Sequence, residues 1–452
     1  MKTTSLGESI IIAQADSKRL DTGIVLASLA LLSLLPSMSK FGLFGMTGDV
    51  DTGSPVSQLL WGIVYATAAT RLVALRANAV PLIKRTVPLV AFLVFIALSY
   101  IWSVDPWVTL RNAVEMIGTT LVCYLVVVRF TATEFISIIV KYFAVVMLVS
   151  FALVVLWPSH GRSSYGVVGW CGLFSEKNGF GAASGLAVIS FGAALLVGDR
   201  RKRAFMTAGL LLSCVCLIGS LAVTAASVTF VAVAITVTAV LFSSPRVGVV
   251  SRFLLPIVIL TFGIWAMTSG LDSSTFLSAV GKSSTLTGRA DFWPGILRAI
   301  GDRPYLGFGY NAFFYTQSTV QEYIAGLTGW WIPLNAHNSY YQMILSVGFV
   351  GISIFAMSVV ASIARSFVGL MKDRDLTLCW PLAIIIFSIF GSFTEVYIGI
   401  PNSIGSMCFL IALLFPVAPR QASDKPHVVT LRAPRRLKVA VRAAQEVRAQ
   451  VR

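Results

Sequence analysis

Charge is scarce in this sequence. Charged side chains make up 12% of its 452 residues, against about 25% in an average soluble domain. Hydrophobic residues make up 56%, and they cluster into blocks of roughly 17–25 residues, each long enough to cross a bilayer as a helix. The composition therefore excludes an ordinary soluble domain and predicts an all-α, polytopic integral membrane protein.

Motifs that mark common soluble enzymes are missing as well. The sequence contains no paired CxxC, no HExxH, no Walker loop and no GxGxxG, so neither a zinc site nor a nucleotide-binding loop is predicted. Five of the six cysteines fall inside apolar blocks, and only Cys171 lies in a predicted external loop. This distribution implies no disulfide framework.

About twelve apolar blocks are predicted to be membrane-spanning helices. With the N-terminus assigned to the cytoplasm, 26 of the 35 lysines and arginines fall on the cytoplasmic side, eight outside, and Lys141 inside a span. Because cytoplasmic loops are enriched in these residues, both termini are predicted to be cytoplasmic. The same bias accounts for the net charge of +16 without nucleic acid. The predicted spans are 22–38, 57–75, 86–103, 112–130, 134–157, 179–198, 204–220, 221–243, 250–268, 338–364, 378–398 and 401–418.

These spans divide the chain into five parts. A cytoplasmic tail (1–21) precedes spans one to nine (22–268), and a large external loop (269–337) precedes spans ten to twelve (338–418). The final basic tail (419–452) carries nine basic and two acidic residues, which is typical of a segment attracted to anionic lipids. A docking site for a regulatory partner is the alternative. A loop as long as 269–337 usually carries function.

A short amphipathic helix is predicted inside this loop. Arg289 stands just before it, where free backbone N–H groups and the positive end of the helix dipole attract phosphate. We therefore predict that Arg289 binds phosphate. The alternative is an arginine that pairs within its own loop, for example with Asp291. Four apolar residues recur at i, i+3, i+4 and i+7 on one helix face: Trp293, Ile296, Leu297 and Ile300.

Further polar side chains stand at the outer ends of predicted spans. Arg162, Lys177 and Asn178 precede or begin span six, and Arg111 begins span four. They are candidates for binding an anionic substrate. The alternatives are ordinary anchoring at lipid headgroups and pairing of Arg111 with the residue one turn deeper. Ionisable groups inside spans are also functional candidates: Glu115, Lys141 and Glu395.

Only three histidines occur in the chain, and one of them stands where span ten begins. An imidazole accepts a proton near neutral pH, so His337 is the candidate base. Asn338 follows it as a helix cap or an acceptor contact. The alternative for His337 is a helix cap at the membrane surface. A base and several cations at one depth, on one side, are what a lipid-linked phosphate substrate requires.

Four segments together resemble a known family. "GLFSEKNGFG" (172–181), "LTGRADFW" (286–293), "PYLGFGYNAF" (304–313) and "AHNSYYQMILSVGFVG" (336–351) occur in the order found in the O-antigen ligase and polymerase superfamily. "WSVDPWVTLR" (102–111) and "SFTEVYIGIPNS" (392–403) fit the same pattern. The chain most resembles exopolysaccharide polymerases of the ExoQ type, over roughly residues 20–418.

The resemblance implies a glycosyltransferase of the GT-C type in the bacterial inner membrane. Its active site would lie on the periplasmic face, with 269–337 as the catalytic loop. The donor would be a glycan on undecaprenyl pyrophosphate and the acceptor a sugar hydroxyl, with no cofactor, nucleotide sugar or metal. The resemblance matches His337 and Arg289 to the family's loop histidine and arginine, and Lys177 and Asn178 to its sixth-span motif.

One position departs from the family pattern, and three functions stay open. Val223, in "GSLAVTAASVT" (219–229), stands where a basic residue is expected. The hypotheses are a repeat-unit polymerase, a ligase that moves the glycan to a lipid or protein acceptor, and a transporter or flippase without chemistry. The expected partners are membrane lipids, the glycan donor and acceptor, and a chain-length regulator and flippase of the same pathway, but no nucleic acid.

Overall fold

The computed structural model describes residues 6–40, 54–163, 169–243, 261, 289–315 and 335–419. Within these ranges the chain is helical and contains no strand, apart from an isolated antiparallel bridge between Arg162 and Trp170. The α-helices of the described ranges, numbered in chain order, are α1 (Leu6–Lys40), α2 (Pro55–Ala74), α3 (Arg76–Arg85), α4 (Val87–Leu98), α5 (Pro106–Arg129), α6 (Ala132–Leu156), α7 (Pro158–Gly161), α8 (Lys177–Val197), α9 (Arg203–Gly219), α10 (Val223–Ser243), α11 (Arg289–Asp302), α12 (Ser339–Val368), α13 (Cys379–Gly391) and α14 (Ile404–Leu414).

Several of these helices have the length and composition of membrane spans. In the described parts of the chain, α5, α6, α8, α10 and α12 are long and apolar enough to cross a bilayer, and α2 with α3, bent by 100°, makes up to six. The shorter apolar helices α4, α9, α13 and α14 coincide with predicted spans. An all-α polytopic membrane protein is confirmed. The number twelve stays a prediction, since the predicted span 250–268 lies outside the described residues except for Thr261. Residues 420–452, in the predicted basic tail, also lie outside them.

The prediction of a span over 378–398 is wrong at its end. α13 ends at Gly391, and residues 392–403 leave the helix before α14 begins at Ile404. The cause is tertiary, because the amide of Ser339 donates to the carbonyl of Ser392 at 2.9 Å. That contact draws 392–403 to the beginning of α12.

Most helices pack around one large apolar core, and α11 packs into a smaller apolar cluster with the beginning of α12. Trp380 on α13 is fully buried, with its ring edge against Phe135 of α6. Its indole N–H donates to Ser190 of α8 at 3.0 Å, so the polar atom of a buried tryptophan is satisfied. One side chain thereby joins α6, α8 and α13.

A cluster of charged side chains ties helices together at one end of the bundle. Asp21 of α1 is fully buried, and its two oxygens lie 2.6 Å from Nε of Arg71 and 2.8 Å from Nε of Arg129. Lys18 pairs with Glu134 at 2.5 Å beside it. Since a lone buried charge is costly, Asp21 holds α1, α2 and α5 in place. We refer to these five residues as the charged end of the bundle.

The last residue of α1 lies at the other end of the bundle. Nζ of Lys40 donates to the carbonyls of Gly172 and Phe174, both at 2.9 Å. These carbonyls precede α8, so α1 and α8 meet at this end. We refer to it as the site end, because the candidate functional residues lie there.

Helix α12 is broken at Gly348, where the backbone takes φ 64° and ψ −173°. In an unbroken helix the amides of Phe349 and Val350 would donate to the carbonyls four residues earlier. Here they donate to Pro304 and Tyr305 instead, at 2.8 and 3.2 Å. The break therefore exchanges helical hydrogen bonds for bonds to the segment that follows α11.

The carbonyls released by the break accept hydrogen bonds from the same segment. The amide of Phe308 donates to Leu345 at 2.7 Å, and that of Gly309 donates to Ser346 at 3.1 Å. Every backbone group that leaves the helix thus finds a partner, as burial requires. The positive φ of 67° at Gly307, next to the backbone of α12, requires glycine here.

Buried polar side chains complete this junction. Tyr310 is fully buried, and its hydroxyl donates to the carbonyl of Gly399 at 2.8 Å. Burial raises the pKa of the Tyr310 phenol well above its usual range, so the hydroxyl stays a neutral donor. Asn311 donates to the same carbonyl at 3.0 Å and accepts from Gln342 at 3.3 Å. The segment after α11, helix α12 and residues 392–403 are thereby joined.

Candidate functional site

His337 lies at the entrance of α12 in a left-handed backbone conformation, with φ 47°. Its amide donates to the side chain of Asn335 at 2.8 Å. The helix cap is Asn338, whose side chain accepts from the amides of Tyr340 and Tyr341 at 2.9 and 3.1 Å. Because Asn338 caps the helix, the imidazole of His337 is free of that role, and the capping alternative for His337 is wrong.

His337 is linked to helix α8 through the carboxylate of one residue and the amide of another. Nδ1 of His337 lies 3.3 Å from Oε2 of Glu395, and Oε1 of Glu395 accepts from Nδ2 of Asn178 at 2.9 Å. The side chains of His337 and Glu395 are 24% and 13% exposed, so the pair is largely shielded but not fully buried. The structure thus brings the predicted residues His337 and Asn178 together through Glu395.

Glu395 is positioned by its own backbone as well as by its side chain. Its amide donates to Gly391 at 3.0 Å, and its carbonyl accepts from the hydroxyl of Ser339 at 3.1 Å. The Ser339 oxygen also accepts from the amides of Tyr397 and Ile398, at 2.9 and 3.2 Å. This single buried serine therefore fastens the loop that carries Glu395 to the first turn of α12.

Helix α11 packs beside His337. The ring of Phe292, which is fully buried, lies 6.3 Å from the imidazole ring. The indole N–H of Trp293 donates to the carbonyl of Ala336 at 3.1 Å. The first turn of α11 therefore adjoins the histidine segment.

The amphipathic helix in the loop is confirmed, with two corrections. It begins at Arg289 itself, so this arginine belongs to its first turn. The buried face contains Phe292, Ile296 and Ile300, while Leu297 is 51% exposed. The buried face is therefore rotated toward Phe292, whose ring lies beside the imidazole of His337. Residues 269–288 and 316–334 of the predicted loop lie outside the described residues.

The other predicted cations lie on three different elements. Lys177 begins α8 and its stem lies beside Gly169, next to the carbonyl of Ser220. Arg162 is exposed after α7, in the bridge with Trp170. Both stand at the site end. Whether they bind an anion stays a prediction.

Arg111 stands in the second turn of α5. It is half-buried and interacts electrostatically with Glu115, one helical turn deeper. That is the pairing considered as the alternative for this residue. Anion binding by Arg111 stays a prediction.

Val223 is the first residue of α10, and its side chain is 41% exposed. The preceding turn lies at the site end, since the amide of Trp170 donates to the carbonyl of Gly219 at 2.9 Å and Ala222 lies against Gly181 of α8. Val223 therefore stands at the site end, and the basic residue that the resemblance leads us to expect at this position stays an expectation.

Comparison with known proteins agrees with the motifs on which this site rests. Residues 208–356 match the family model described as O-antigen ligase. The resemblance to the O-antigen ligase and polymerase superfamily is confirmed. The exopolysaccharide production protein ExoQ of Rhizobium meliloti (strain 1021) is 26% identical over 340 residues, which are 70% of this chain and 73% of that protein. The family match includes Arg289 and His337, whereas Asn178 and Glu395 lie outside it.

Glu395 is the site residue to which sequence reasoning gave too little weight. Its signal was an acidic side chain in an otherwise apolar late segment, which marked it only as one of three ionisable candidates. Nothing local connects it with His337, 58 residues earlier, or with Asn178, 217 residues earlier. Only the packing of α8, α12 and α13 brings these side chains together.

Proposed function

We propose that this protein is an exopolysaccharide polymerase, which transfers a glycan from undecaprenyl pyrophosphate to an acceptor sugar hydroxyl on a lipid-linked repeat unit. The observation that carries the proposal is the pairing of His337 with a carboxylate at the entrance of α12, beside the first turn of α11. The similarity to an O-antigen ligase family model and to an exopolysaccharide production protein supports this class of reaction.

In the proposed reaction His337 is the general base. Its imidazole takes the proton of the acceptor hydroxyl while the oxygen of that hydroxyl attacks the anomeric carbon of the donor. The bond from that carbon to the pyrophosphate oxygen breaks, and the lipid pyrophosphate leaves with the electron pair. The proton passes from the imidazolium to solvent. A positioned base contributes typically about 10²–10⁴-fold to such a step.

The leaving pyrophosphate needs positive charge in a partly dry site. Arg289 is proposed to supply it, because it stands in the first turn of α11, where backbone N–H groups and the helix dipole also attract anions. Lys177, Arg162 and Arg111 are proposed as further pyrophosphate contacts, and Asn338 as a contact near the acceptor. With Val223 in place of a cation, the site depends more strongly on Arg289.

The proposed setting is the bacterial inner membrane, with about twelve spans in a GT-C-type arrangement and a site that faces the periplasm. The charged end of the bundle, which contains Arg71 and Arg129, would face the cytoplasm together with both termini. The excess of lysine and arginine in the segments assigned to that side supports this orientation. A chain-length regulator and a flippase are proposed as pathway partners.

A ligase is the second candidate, favoured by the description of the matching family model. The test is purified protein in liposomes, supplied with lipid-linked repeat units extracted from the native host. A polymerase releases undecaprenyl pyrophosphate and yields glycans longer by whole repeats. A ligase elongates nothing and transfers glycan only when a lipid or protein acceptor is added. Movement of the substrate across the liposome without pyrophosphate release would mean a transporter and would overturn the proposal.

A further inference from the structure

Glu395 is held more firmly than a surface carboxylate. Each of its side-chain oxygens has a different partner, Nδ1 of His337 for Oε2 and Nδ2 of Asn178 for Oε1. The side chain is 13% exposed, and the backbone on both sides of it is tied to Gly391 and Ser339. The carboxylate therefore has one defined orientation relative to the imidazole.

This orientation determines which imidazole nitrogen carries the proton. An ionised carboxylate can only accept hydrogen bonds, so its contact with Nδ1 of His337 requires a proton on Nδ1. In the neutral imidazole the other nitrogen, Nε2, then carries the free electron pair. The base of the proposed reaction would act through Nε2, directed away from Glu395.

The amide of Asn178 completes the arrangement. By donating to Oε1 at 2.9 Å it occupies the oxygen that does not face His337, and it stops the carboxylate from rotating. Asn178 stands in the first turn of α8, so the orientation of the imidazole depends on how α8 packs against α12.

We infer that Glu395 is a positioning residue for His337: it holds the imidazole as the Nδ1-protonated tautomer, offsets the charge when Nε2 takes a proton, and is itself oriented by Asn178. This inference rests on the proposed function of His337 as a base. The competing explanation is that Glu395 only links α8, α12 and residues 392–403 mechanically.

The tautomer can be measured directly, because the chain contains only three histidines. Protein labelled with ¹⁵N-histidine in lipid nanodiscs is compared with the His337→Ala variant, which identifies the His337 signals. We expect a protonated Nδ1 and an unprotonated Nε2 at high pH, and loss of this preference in Glu395→Leu. A protonated Nε2 in the wild-type protein, or an unchanged tautomer in Glu395→Leu, would overturn the inference.

Turnover measurements distinguish the effect of the charge of Glu395 from the effect of its shape. Glu395→Gln keeps the size of the side chain and can keep two hydrogen bonds. If Glu395 only linked α8, α12 and residues 392–403 mechanically, this variant would preserve its role. We expect instead that its turnover with lipid-linked repeat units falls on the order of 10²–10⁴-fold, with an unchanged KM for the donor. Glu134→Gln, at the charged end, serves as the matched control and should keep wild-type turnover. Wild-type turnover in Glu395→Gln would assign Glu395 to the mechanical role.

A double variant shows whether Glu395 acts through His337. If it does, adding Glu395→Gln to His337→Ala lowers turnover no further, because residues that act as a unit are not additive. Two independent losses that multiply would contradict the inference. Wild-type activity of His337→Ala would refute the role of His337 as the base, on which this inference rests, whereas an inactive His337→Ala beside a fully active Glu395→Gln would refute only the role of Glu395.

Discussion

The amide of Phe308 donates a 2.7 Å hydrogen bond to the carbonyl of Leu345, a carbonyl that an unbroken α12 would keep for its own helix. It is one of four backbone hydrogen bonds that join the segment after α11 to α12 at its break. His337 precedes this helix by two residues. The catalytic loop predicted from sequence is therefore attached to the same helix that presents the candidate base.

Gly348→Ala should weaken this attachment. The residue has φ 64°, and an added Cβ would collide with the backbone of Tyr305. A non-glycine residue in such a conformation costs about 1–3 kcal/mol, so we expect a lower unfolding temperature in detergent and reduced polymer synthesis. Gly192→Ala in α8, where nothing lies within 4 Å of an added Cβ, is the control. Equal unfolding temperatures for the two variants would contradict the role given to Gly348.

His337→Ala should abolish most polymer synthesis without affecting the amount of protein in the membrane. The expected loss of turnover is about 10²–10⁴-fold, the contribution of a general base. The measurement is polymer length and yield in a deletion strain that expresses the variant. His160→Ala is the matched control, because the ring of His160 in α7 packs at a tilt against Trp157, 4.1 Å between ring centres, and takes no part in the proposed reaction. Wild-type chain lengths in His337→Ala would remove this histidine from the mechanism.

Arg289→Lys should be poorly tolerated if the guanidinium binds the pyrophosphate with two parallel hydrogen bonds, because lysine keeps the charge but not the planar pair of donors. We expect a raised KM for the lipid-linked donor together with a lower kcat. Arg298→Lys, on the same helix, tests whether any arginine of α11 responds in this way. Identical kinetics for Arg289→Lys and wild type would show that charge alone suffices.

Asp21→Ala should destabilise the protein at the charged end, far from the site. Removing this fully buried carboxylate leaves Arg71 and Arg129, each about a fifth exposed, without their shared partner. Breaking a buried ion pair costs about 3–5 kcal/mol. Thermal unfolding in detergent measures the effect. Asp16→Ala removes an exposed pair with Arg19 and should change little; a comparable loss in both variants would show that burial is not the cause.

The orientation of the bundle can be tested with a thiol reagent that does not cross membranes. Ser175 is exposed at the site end just before α8, and Arg201 is exposed just after it. The 21 residues of α8 separate them by about 30 Å. We expect Ser175→Cys to react in intact spheroplasts and Arg201→Cys only after permeabilisation, each measured above the parent protein. The reverse pattern would invert the proposed topology.

Local pattern was sufficient for much of the fold. Apolar blocks predicted most helices, because the hydropathy of a segment decides whether it can lie in lipid whatever its neighbours are. The amphipathic helix α11 was predictable as well, since its periodicity is local, although its first residue and its buried face were not. The end of α13 at Gly391 was not, because residues 392–403 leave the helix to pair with Ser339.

For the site, the sequence by itself determined that His337 stands at the entrance of a membrane helix, and that Arg289 belongs to the loop before it. The cap by Asn338 is a local contact that the sequence also offered. Only the tertiary structure decided that α12 breaks at Gly348 and that Glu395 joins His337 to Asn178. The physical reason is that these contacts join distant parts of the chain, and those of Glu395 connect residues 58 and 217 positions apart. Such hydrogen bonds depend on how helices pack, and no local pattern of hydrophobic and polar residues encodes them.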